Sequence, residues 1–271
     1  MSNMIIGGKT LIMGVINVTP DSFYEGSRVQ EKDSAVERAL FFEESGADII
    51  DIGGISTRPG SEEIDIEGEL KRVIPVIAEI RKRSKILISV DTFRPEVACQ
   101  AVSNGADIIN DISGLRFSNG LEYIAVKAGV YIILMHIRGK PVDMQKRAVY
   151  NNVIREVSSE LDVSIEKALK AGIDRSKIIL DPGIGFAKSA EHNLILIKYL
   201  PLIKKKGYPV LMGLSRKSFL GVYTDLEPED RLIPTIAANA ISIFQGADII
   251  RVHDVKEAKI TAQIADAVRD C

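Results

Sequence analysis

The string GADII occurs at residues 46–50, 105–109 and 246–250, each time between a stretch with helical spacing and a short apolar run. Each glycine stands where the C-terminus of a helix needs a left-handed residue, and the Ala-Asp pair leads into the Ile-Ile of a strand. The copies start 59 and 141 residues apart. If these intervals hold two and four βα units, each unit takes about 30 to 35 residues, the usual size of that element. GADII is therefore predicted to be a repeated helix-to-strand joint.

Short runs rich in Ile, Val and Leu recur along the whole chain. Near-continuous apolar runs of this length are typical of parallel strands that are covered by helices. Residues 34–44, 69–83 and 153–170 have the apolar spacing of amphipathic helices between such strands. The eight apolar runs span residues 11–18, 48–53, 86–91, 107–112, 130–136, 178–181, 209–214 and 248–253.

Eight parallel strands and eight helices in about 250 residues favour an α/β fold, a (β/α)₈ barrel of the TIM type. We expect residues 1–271 to form a single domain, with residues 4–10 as a short extra strand or hairpin at the bottom of the barrel. An open doubly wound sheet is the alternative, because periodicity alone does not prove that a sheet closes.

Composition excludes several classes of protein. The chain has 271 residues, of which 46% are hydrophobic and 27% charged, as in globular proteins. No apolar run approaches the roughly 18 residues of a membrane span, and the N-terminus does not resemble a signal peptide, so we expect a cytoplasmic protein. Two cysteines cannot build a disulfide framework, and a formal charge of −2 makes nucleic acid an unexpected partner.

Polar residues stand at the carboxyl ends of all eight predicted strands, where barrel enzymes carry their active sites. A turn or a helix cap could account for any one of them, but their convergence at one rim indicates a functional site. In chain order they are Asn17, Thr19, Asp21; Ser56, Thr57, Arg58; Asp91, Thr92; Asn110, Asp111; His136, Arg138; Asp181; Ser215, Arg216, Lys217, Ser218; and Arg251, His253, Asp254.

The types of these side chains predict two kinds of ligand group. Arg58, Lys217, Arg251 and His253 supply cations and hydrogen-bond donors that suit a phosphate or diphosphate. The carboxylates and amide of Asp91, Asn110 and Asp181 emerge between apolar strands and suit a heterocycle that carries several N–H groups, such as a pterin or purine. Asn17 beside Asp21 offers oxygen ligands for Mg²⁺.

Motifs of other enzyme classes do not occur. The sequence has no GxSxG elbow, HExxH motif or Walker loop, so acyl transfer by a serine triad and zinc hydrolysis lose support. His192 lies far from a strand end, and we expect it to be a surface or capping histidine.

Eight segments, one for each predicted strand, carry a resemblance to a known family. They are GVINVTPDSF (14–23), DIGGISTRPG (51–60), ISVDTFRPEVA (88–98), INDISG (109–114), LMHIRGKP (134–141), LDPGIGFAK (180–188), GLSRKSFLG (213–221) and RVHDVKE (251–257). In this order the chain resembles the dihydropteroate synthases of folate biosynthesis, which are pterin-binding (β/α)₈ barrels.

The resemblance implies condensation of (7,8-dihydropterin-6-yl)methyl diphosphate with 4-aminobenzoate, which releases pyrophosphate and 7,8-dihydropteroate. It also implies a homodimer formed through the later helices, and inhibition by sulfonamides as mimics of aminobenzoate. The implied residue roles are Asp91, Asn110, Asp181 and Lys217 for the pterin; Thr57, Arg251 and His253 for the diphosphate; Asn17 for Mg²⁺; and Arg58, Pro59, Phe186 and Ser218 for the aminobenzoate pocket.

Asp91, Lys217, Arg251 and His253 are the expected catalytic residues within that set. Asp91→Ala is expected to abolish pterin binding, whereas Arg251→Ala is expected to spare a pterin that lacks the diphosphate. The sequence departs from the family pattern at Glu25, where aspartate is common, at Ile55, where glutamate is common, and at Pro234, where glycine is frequent.

Two alternatives remain open from the sequence. One is a related barrel that transfers a methyl group from methyltetrahydrofolate, and the other is a catalytically silent pterin-binding homologue. A methyltransferase has no use for a diphosphate clamp, so the presence of Thr57, Lys217, Arg251 and His253 speaks against the first. A silent homologue would be expected to lose Asn17 or the loop arginine, Arg58, and neither is lost.

Overall fold

The computed structural model describes residues 7–18, 25–55, 64–117 and 119–271, and for residues 25–31 it describes the backbone only. Eight parallel strands lie in these ranges and form one sheet in the order β6-β5-β4-β3-β2-β1-β8-β7. The strands are β1 (Leu11–Asn17), β2 (Ile49–Gly53), β3 (Leu87–Asp91), β4 (Ile108–Asp111), β5 (Tyr131–Met135), β6 (Ile178–Asp181), β7 (Leu211–Met212) and β8 (Ile249–Val252).

Two contacts close the sheet into a ring. Leu180 of β6 and Val210, just before β7, form a parallel bridge, and the Leu180 N–H donates to the Pro209 carbonyl at 2.9 Å. The predicted (β/α)₈ barrel is therefore confirmed, and the open-sheet alternative is wrong. β7 is shorter than the apolar run 209–214 because it pairs with β8 at Leu211 and Met212 only, and because Pro209 has no N–H to donate.

Ten α-helices lie among the described residues. Eight of them alternate with the strands, and α7 and α8 are short additions around β7. They are α1 (Glu25–Glu44), α2 (Ile66–Arg83), α3 (Pro95–Ser103), α4 (Leu121–Ala128), α5 (Val153–Lys170), α6 (Ala190–Lys198), α7 (Leu200–Lys204), α8 (Ser218–Thr224), α9 (Leu232–Phe244) and α10 (Val255–Arg269).

The three GADII copies form the same joint. Gly46, Gly105 and Gly246 have φ of 99°, 108° and 101°, which is the left-handed conformation that the sequence predicts after a helix. The carboxylates of Asp48, Asp107 and Asp248 accept the N–H groups of Ile12, Ile88 and Val210 on the preceding strands at 2.8, 3.0 and 2.6 Å. The same carboxylates pair with Lys259, Arg81 and Lys204 at 3.4, 2.6 and 2.5 Å. Each joint thus ties a strand to its neighbour at the bottom of the barrel.

Side chains that point into the barrel change from apolar to polar towards its top. The lower layers are apolar and include Met13, Ile49, Ile108, Ile179 and Ile249. Since successive residues of a strand alternate between faces, the inward positions above this layer carry Asp51, Ser89, Asn110, Asp181 and Arg251. A polar layer inside the barrel therefore underlies the mouth where a site is predicted.

The N-terminal extension is only partly described. Residues 1–6 lie outside the described ranges, and residues 7–9 form bends that lead into β1, so no strand occurs among residues 7–10. The Thr10 N–H and hydroxyl donate to the Asp266 carboxylate of α10 at 2.8 and 2.7 Å. The start of the barrel is thereby fastened to its last helix. The single-domain boundary of 1–271 stays a prediction.

Candidate active site

The ends of β1, β2 and β3 bring Asn17 and Asp91 to the two sides of Gly53. The register pairs Asn17 with Gly53 and Gly53 with Asp91. A Cβ on Gly53 would lie 3.5 Å from the Asp91 Cβ and 3.7 Å from the Asn17 Oδ1. Asn17 is exposed at the barrel mouth. The glycine therefore leaves room between a carboxylate and an amide oxygen that the sequence assigns to one site.

Arg251 of β8 connects to β2 and β3 through two carboxylates. Its Nε donates to the Asp51 Oδ2 at 2.6 Å, and its Nη2 donates to the Asp91 Oδ2 at 2.8 Å. The Asn110 Nδ2 donates to the same Asp51 oxygen at 3.1 Å. Asp51 is fully buried, and its second oxygen has no hydrogen-bond partner in the described structure. Strands β2, β3, β4 and β8 thus meet in one hydrogen-bonded cluster.

The electrostatics of this cluster are dominated by burial. Burial raises the pKa of Asp91 to about 7, although the neighbouring Arg251 lowers it. Burial also lowers the pKa of Arg251, but the carboxylates of Asp51 and Asp91 outweigh it and the guanidinium is held charged. Two carboxylates share one cation here, so the cluster carries excess negative charge that a cationic or N–H-rich ligand would stabilise.

Asp181 and Lys217 form a second part of the mouth. The Asp181 Oδ1 accepts the Gly183 N–H at 2.7 Å, and burial raises the pKa of Asp181 against the opposing charge of Lys217. The Lys217 ammonium donates to the Ile184 carbonyl and lies 5.0 Å from the centre of the Phe186 ring. Burial lowers the pKa of Lys217 to about 8. A carboxylate, an ammonium and an aromatic face are therefore presented together.

Gly213 separates the two cations of the mouth. A Cβ on Gly213 would lie 3.7 Å from the Lys217 Nζ and 3.9 Å from the Arg251 Cβ. Both side chains therefore border the same space above this glycine, which brings the Arg251 cluster and the Asp181–Lys217 pair together.

His253 enters the site as a neutral group. Its Nδ1 lies 3.0 Å from the Ser215 Oγ, and its backbone N–H donates to the same oxygen at 3.2 Å. Burial and the charge of Arg251 lower the pKa of His253 to about 4. The sequence interpretation counted His253 among the cations and donors. In the free protein at pH 7 it is a hydrogen-bonding side chain without charge.

The turn after β6 needs glycine at one position. Gly183 has φ of 69°, and a Cβ there would lie 1.9 Å from the His136 carbonyl oxygen. The turn therefore packs its backbone directly against the end of β5, which fixes the loop that carries Phe186.

Several polar residues predicted at the rim have structural partners instead. Asp111 accepts the N–H groups of Ser113 and Leu115 at 2.8 and 2.6 Å and shapes a turn. Arg216 pairs with Asp254 through two hydrogen bonds of 2.9 Å. His136 and Arg138 turn outward to Glu160 of α5. The structure does not bring these side chains to the cluster around Arg251.

Two further outcomes concern the predicted pocket and His192. Ser218 is the first residue of α8 and is exposed at the mouth, and Phe186 is half-buried beside Lys217. Thr57, Arg58 and Pro59, as well as Thr19 and Asp21, lie outside the described residues, so their predicted roles stay predictions. His192 forms a capping box with Ser189 at the start of α6, which confirms it as a capping histidine.

Asp51 and Lys188 are missing from the residues predicted for the site. Asp51 had a signal, since it interrupts the apolar strand IIDIG at an inward position two residues before Gly53. Lys188 has only its place in the segment LDPGIGFAK, and nothing in its spacing separates it from a surface lysine. In the structure it is buried, and its ammonium lies beside Gly183 in the turn after β6.

A metal site made by the protein alone is not evident in the described ranges, which contain no group of three or more His, Cys, Asp or Glu side chains suited to an ion. Asn17 supplies one exposed amide oxygen. Mg²⁺ retains several waters and is commonly held by one or two protein oxygens together with substrate phosphates. The donor set therefore fits an ion that arrives with a phosphorylated ligand.

Comparison with known proteins agrees with this geometry. Residues 13–253 match the model of a family described as pterin binding enzyme. A dihydropteroate synthase of Synechocystis is 44% identical over 97% of this chain and 91% of its own length.

Two solved structures share the fold over nearly their whole length. The Clostridium difficile dihydropteroate synthase, crystallised in the presence of pteroic acid, superposes with a TM-score of 0.92 at 39% identity over 98% of this chain and 99% of that chain. The Yersinia pestis dihydropteroate synthase in complex with a sulfonamide drug has a TM-score of 0.91 at 39% identity over 97% and 95% of the two chains.

No described helix is both long and apolar enough to cross a membrane.

Proposed function

This chain belongs to the pterin-binding enzyme family and is a transferase with dihydropteroate synthase activity, and from that premise we propose how its residues divide the reaction. The enzyme condenses (7,8-dihydropterin-6-yl)methyl diphosphate with 4-aminobenzoate in folate biosynthesis. The observation that carries the division is Arg251, whose guanidinium links Asp51 and Asp91 inside the barrel while facing the same cavity as Lys217.

The pterin binds between the carboxylates of Asp91 and Asp181. Asp91, Asn110 and Asp181 offer acceptors to the ring N–H and amino groups, and Lys217 donates to a ring oxygen or nitrogen. Charged hydrogen bonds of this kind are worth about 1.5–3 kcal/mol each. The apolar residue Phe186 supplies a face beside the ring. Support comes from the inward positions of Asn110 and Asp181, which are 4% and 7% exposed, because a few polar groups between apolar walls are typical of a ligand site.

The diphosphate lies on the outer side of the pterin. Arg251 and His253 reach it from β8, and Thr57 adds a donor from the loop after β2. Binding of the anion stabilises the protonated form of His253, which is neutral in the free protein. His253 therefore becomes a charged donor only once the diphosphate is in place.

Asn17 is the protein ligand proposed for Mg²⁺. Bound between Asn17 and the diphosphate, the ion would neutralise charge on the leaving pyrophosphate. The carboxylate of Asp91 lies on the other side of Gly53 and stays available to the pterin. The residues of the protein thus separate metal binding from ring binding.

The aminobenzoate pocket is proposed at Arg58, Pro59, Phe186 and Ser218. An arylamine is neutral at pH 7 and needs no strong base, which agrees with a mouth that presents carboxylates for a cation and not a catalytic triad. Sulfonamides are expected to compete for this pocket, as the complex of the Yersinia pestis protein suggests for a relative.

Loss of pyrophosphate is the difficult step. We place the early breaking of the C–O bond before addition of the amine, so that positive charge spreads over the pterin. Asp91 and Asp181 stabilise that charge, while Arg251 and His253 stabilise the leaving group. We expect the segments 21–28, in which residues 25–28 are the first turn of α1, and 56–61 to close over the site and exclude water.

Metal dependence gives a direct test. Pyrophosphate release by the purified protein should require both substrates and should stop with a chelator and return with Mg²⁺. Asn17→Ala should raise the Mg²⁺ concentration for half-maximal rate by about tenfold, which corresponds to one lost ligand. Asn104→Ala, which removes an exposed amide at the end of α3, is the control. An unchanged Mg²⁺ requirement in Asn17→Ala would exclude Asn17 as the ligand. No pyrophosphate release from saturating substrates would contradict the activity itself.

A homodimer through α9 and α10 is proposed for the assembly. Large apolar side chains are exposed on both helices, among them Phe244 at 58% and Ile264 at 67%. Contiguous exposed apolar surface of this kind marks an interaction site. Ile264→Asp should shift the protein from dimer to monomer in sedimentation velocity, whereas Val163→Asp, at a 64% exposed position of α5, should not. A monomeric wild-type protein would contradict the proposal. The cytoplasmic location stays a prediction.

A further inference from the structure

Lys188 is a buried lysine that the division of roles above does not use. Its side chain lies behind the turn after β6, and the residue is 4% exposed. Its Nζ lies 3.0 Å from the His136 Nδ1 and donates to the Phe186 carbonyl at 2.9 Å. A lysine in such a position requires a compensating interaction, because burial of an isolated ammonium is strongly unfavourable.

The far side of His136 fixes the direction of these hydrogen bonds. Its Nε2 lies 3.0 Å from the Glu160 Oε2, and Glu160 also accepts from Arg138 at 2.9 Å. Although burial raises the pKa of Glu160, its hydrogen bonds to His136 and Arg138 lower it to about 2, so it is a carboxylate. Burial lowers the pKa of His136 to about 4, so the ring is neutral at pH 7.

A neutral imidazole beside a carboxylate carries its proton on the nitrogen that faces it. The Nε2–H of His136 therefore donates to Glu160, and the Nδ1 lone pair is left for Lys188. Both hydrogen-bond partners of Lys188, the imidazole nitrogen and the Phe186 carbonyl, are then acceptors. Lys188 therefore donates both of these hydrogen bonds and accepts none, as an ammonium group must.

Asp181 is the charged group that acts most strongly on Lys188. The Gly183 N–H donates to Asp181 at 2.7 Å, and a Cβ on Gly183 would lie 3.4 Å from the Lys188 Nζ. Burial raises the pKa of Asp181, and the cations that oppose this are Lys217 after β7, Arg251 on β8 and Lys188. Lys217 and Arg251 face the substrate cavity, whereas Lys188 approaches from behind the turn.

We propose that Lys188 is a positioning residue, a buried ammonium held by His136 and the Phe186 carbonyl whose charge keeps Asp181 an anion for the pterin. This rests on the proposed contact between Asp181 and the pterin. The charges that face Lys188 itself are Asp181, Glu160 of α5, Lys217 and Arg138. Burial lowers the pKa of Lys188 to about 7, so its charge is present in the acidic range, where Asp181 is most readily protonated.

The test is a pH profile of kcat/KM for the pterin diphosphate in Lys188→Met. Loss of a neighbouring cation raises the pKa of a carboxylate by about one unit, so the acid limb should move up by about one pH unit. The ratio of variant to wild-type kcat/KM should therefore be lowest on the acid limb and rise towards neutral pH, by up to about tenfold. A purely structural defect would lower the ratio equally at all pH values, and that result would overturn the proposal.

Lys204→Met is the matched control. Lys204 pairs with Asp248 at the bottom of the barrel, so its loss removes a partly buried ammonium far from the mouth. Its ratio to wild type should not change with pH.

A measurement on the wild-type protein keeps the proposal testable if Lys188→Met does not fold. The chain has three histidines, so ¹⁵N-imidazole NMR resolves each ring, and His136→Gln identifies the signals of His136. A protonated Nε2 and an unprotonated Nδ1 are expected at pH 6 to 8. A protonated Nδ1 would make Lys188 an acceptor and thus a neutral amine, which would overturn the proposal.

Failure of the proposed function gives a different result. If Asp181→Asn leaves pterin binding intact, the assignment of Asp181 to the pterin is wrong. If Asp181→Asn loses pterin binding but the Lys188→Met ratio stays constant from pH 6 to 8, only the role of Lys188 is wrong.

Discussion

Arg251→Met should abolish turnover and also weaken binding of a pterin that lacks the diphosphate, by about 100-fold at pH 7. Removing the guanidinium leaves the buried Asp51 and Asp91 without their shared cation. Arg251 is the neighbour that holds the pKa of Asp91 down, so its loss raises that pKa from about 7 and protonates the carboxylate at neutral pH. A protonated Asp91 loses a charged hydrogen bond to the ring, and breaking a buried ion pair also costs about 3 kcal/mol of stability or more.

Calorimetric titration with a diphosphate-free pterin and a pyrophosphate-release assay measure the two losses separately. Arg175→Met is the control, because Arg175 also makes hydrogen bonds through its guanidinium, to Tyr208 at 2.7 Å and to Lys206 at 2.6 Å, but at the bottom of the barrel. Pterin affinity equal to wild type in Arg251→Met would show that pterin binding by Asp91 does not depend on its ion pair with Arg251.

This expectation replaces the one drawn from the sequence, in which Arg251→Ala spares a pterin without diphosphate. Strand ends show that Asp91 and Arg251 reach the same rim, but they do not show that the side chains touch. The contact needs β8 to lie beside β1 and β1 beside β2, which brings Arg251 within reach of Asp51 and Asp91. Pairing between residues 160 positions apart cannot be read from local spacing.

The fold could be predicted because its signals are local. Each GADII joint needs a left-handed glycine and an aspartate that accepts from the preceding strand, and both requirements appear in consecutive residues. Closure of the ring is expected from eight strands and eight helices in a chain of this length, while the contacts that achieve it, Leu180 with Pro209 and Val210, are visible only in the structure.

The site could be predicted in its composition but not in its connections. A strand end says where a polar side chain emerges, and it does not say which way the side chain turns. The sequence predicts Arg138 and Arg216 at strand ends just as it predicts Arg251, yet they pair with Glu160 and Asp254 and not with the cluster around Arg251. Burial of Asp51 below the mouth likewise depends on layers of the barrel that no single strand reveals.

Asp181→Asn should weaken pterin binding by about 100-fold or more while leaving the fold in place. The asparagine oxygen can still accept the Gly183 N–H, which Asp181 accepts at 2.7 Å, so the turn keeps its hydrogen bond. The other carboxylate oxygen becomes an NH₂ group that faces the N–H donors of the ring. The loss of one charged hydrogen bond and the unfavourable contact between the new NH₂ group and a ring N–H together cost about 3 kcal/mol, which is about 100-fold in affinity.

The matched control is Asp174→Asn before β6. Asp174 also accepts the N–H of the residue two positions ahead, Ser176, at 2.8 Å, but it is exposed at the opposite end of the barrel. Pterin affinity from calorimetric titration, with thermal unfolding recorded beside it, separates binding from stability. Equal pterin affinity in the Asp181 and Asp174 variants would remove Asp181 from the pterin site.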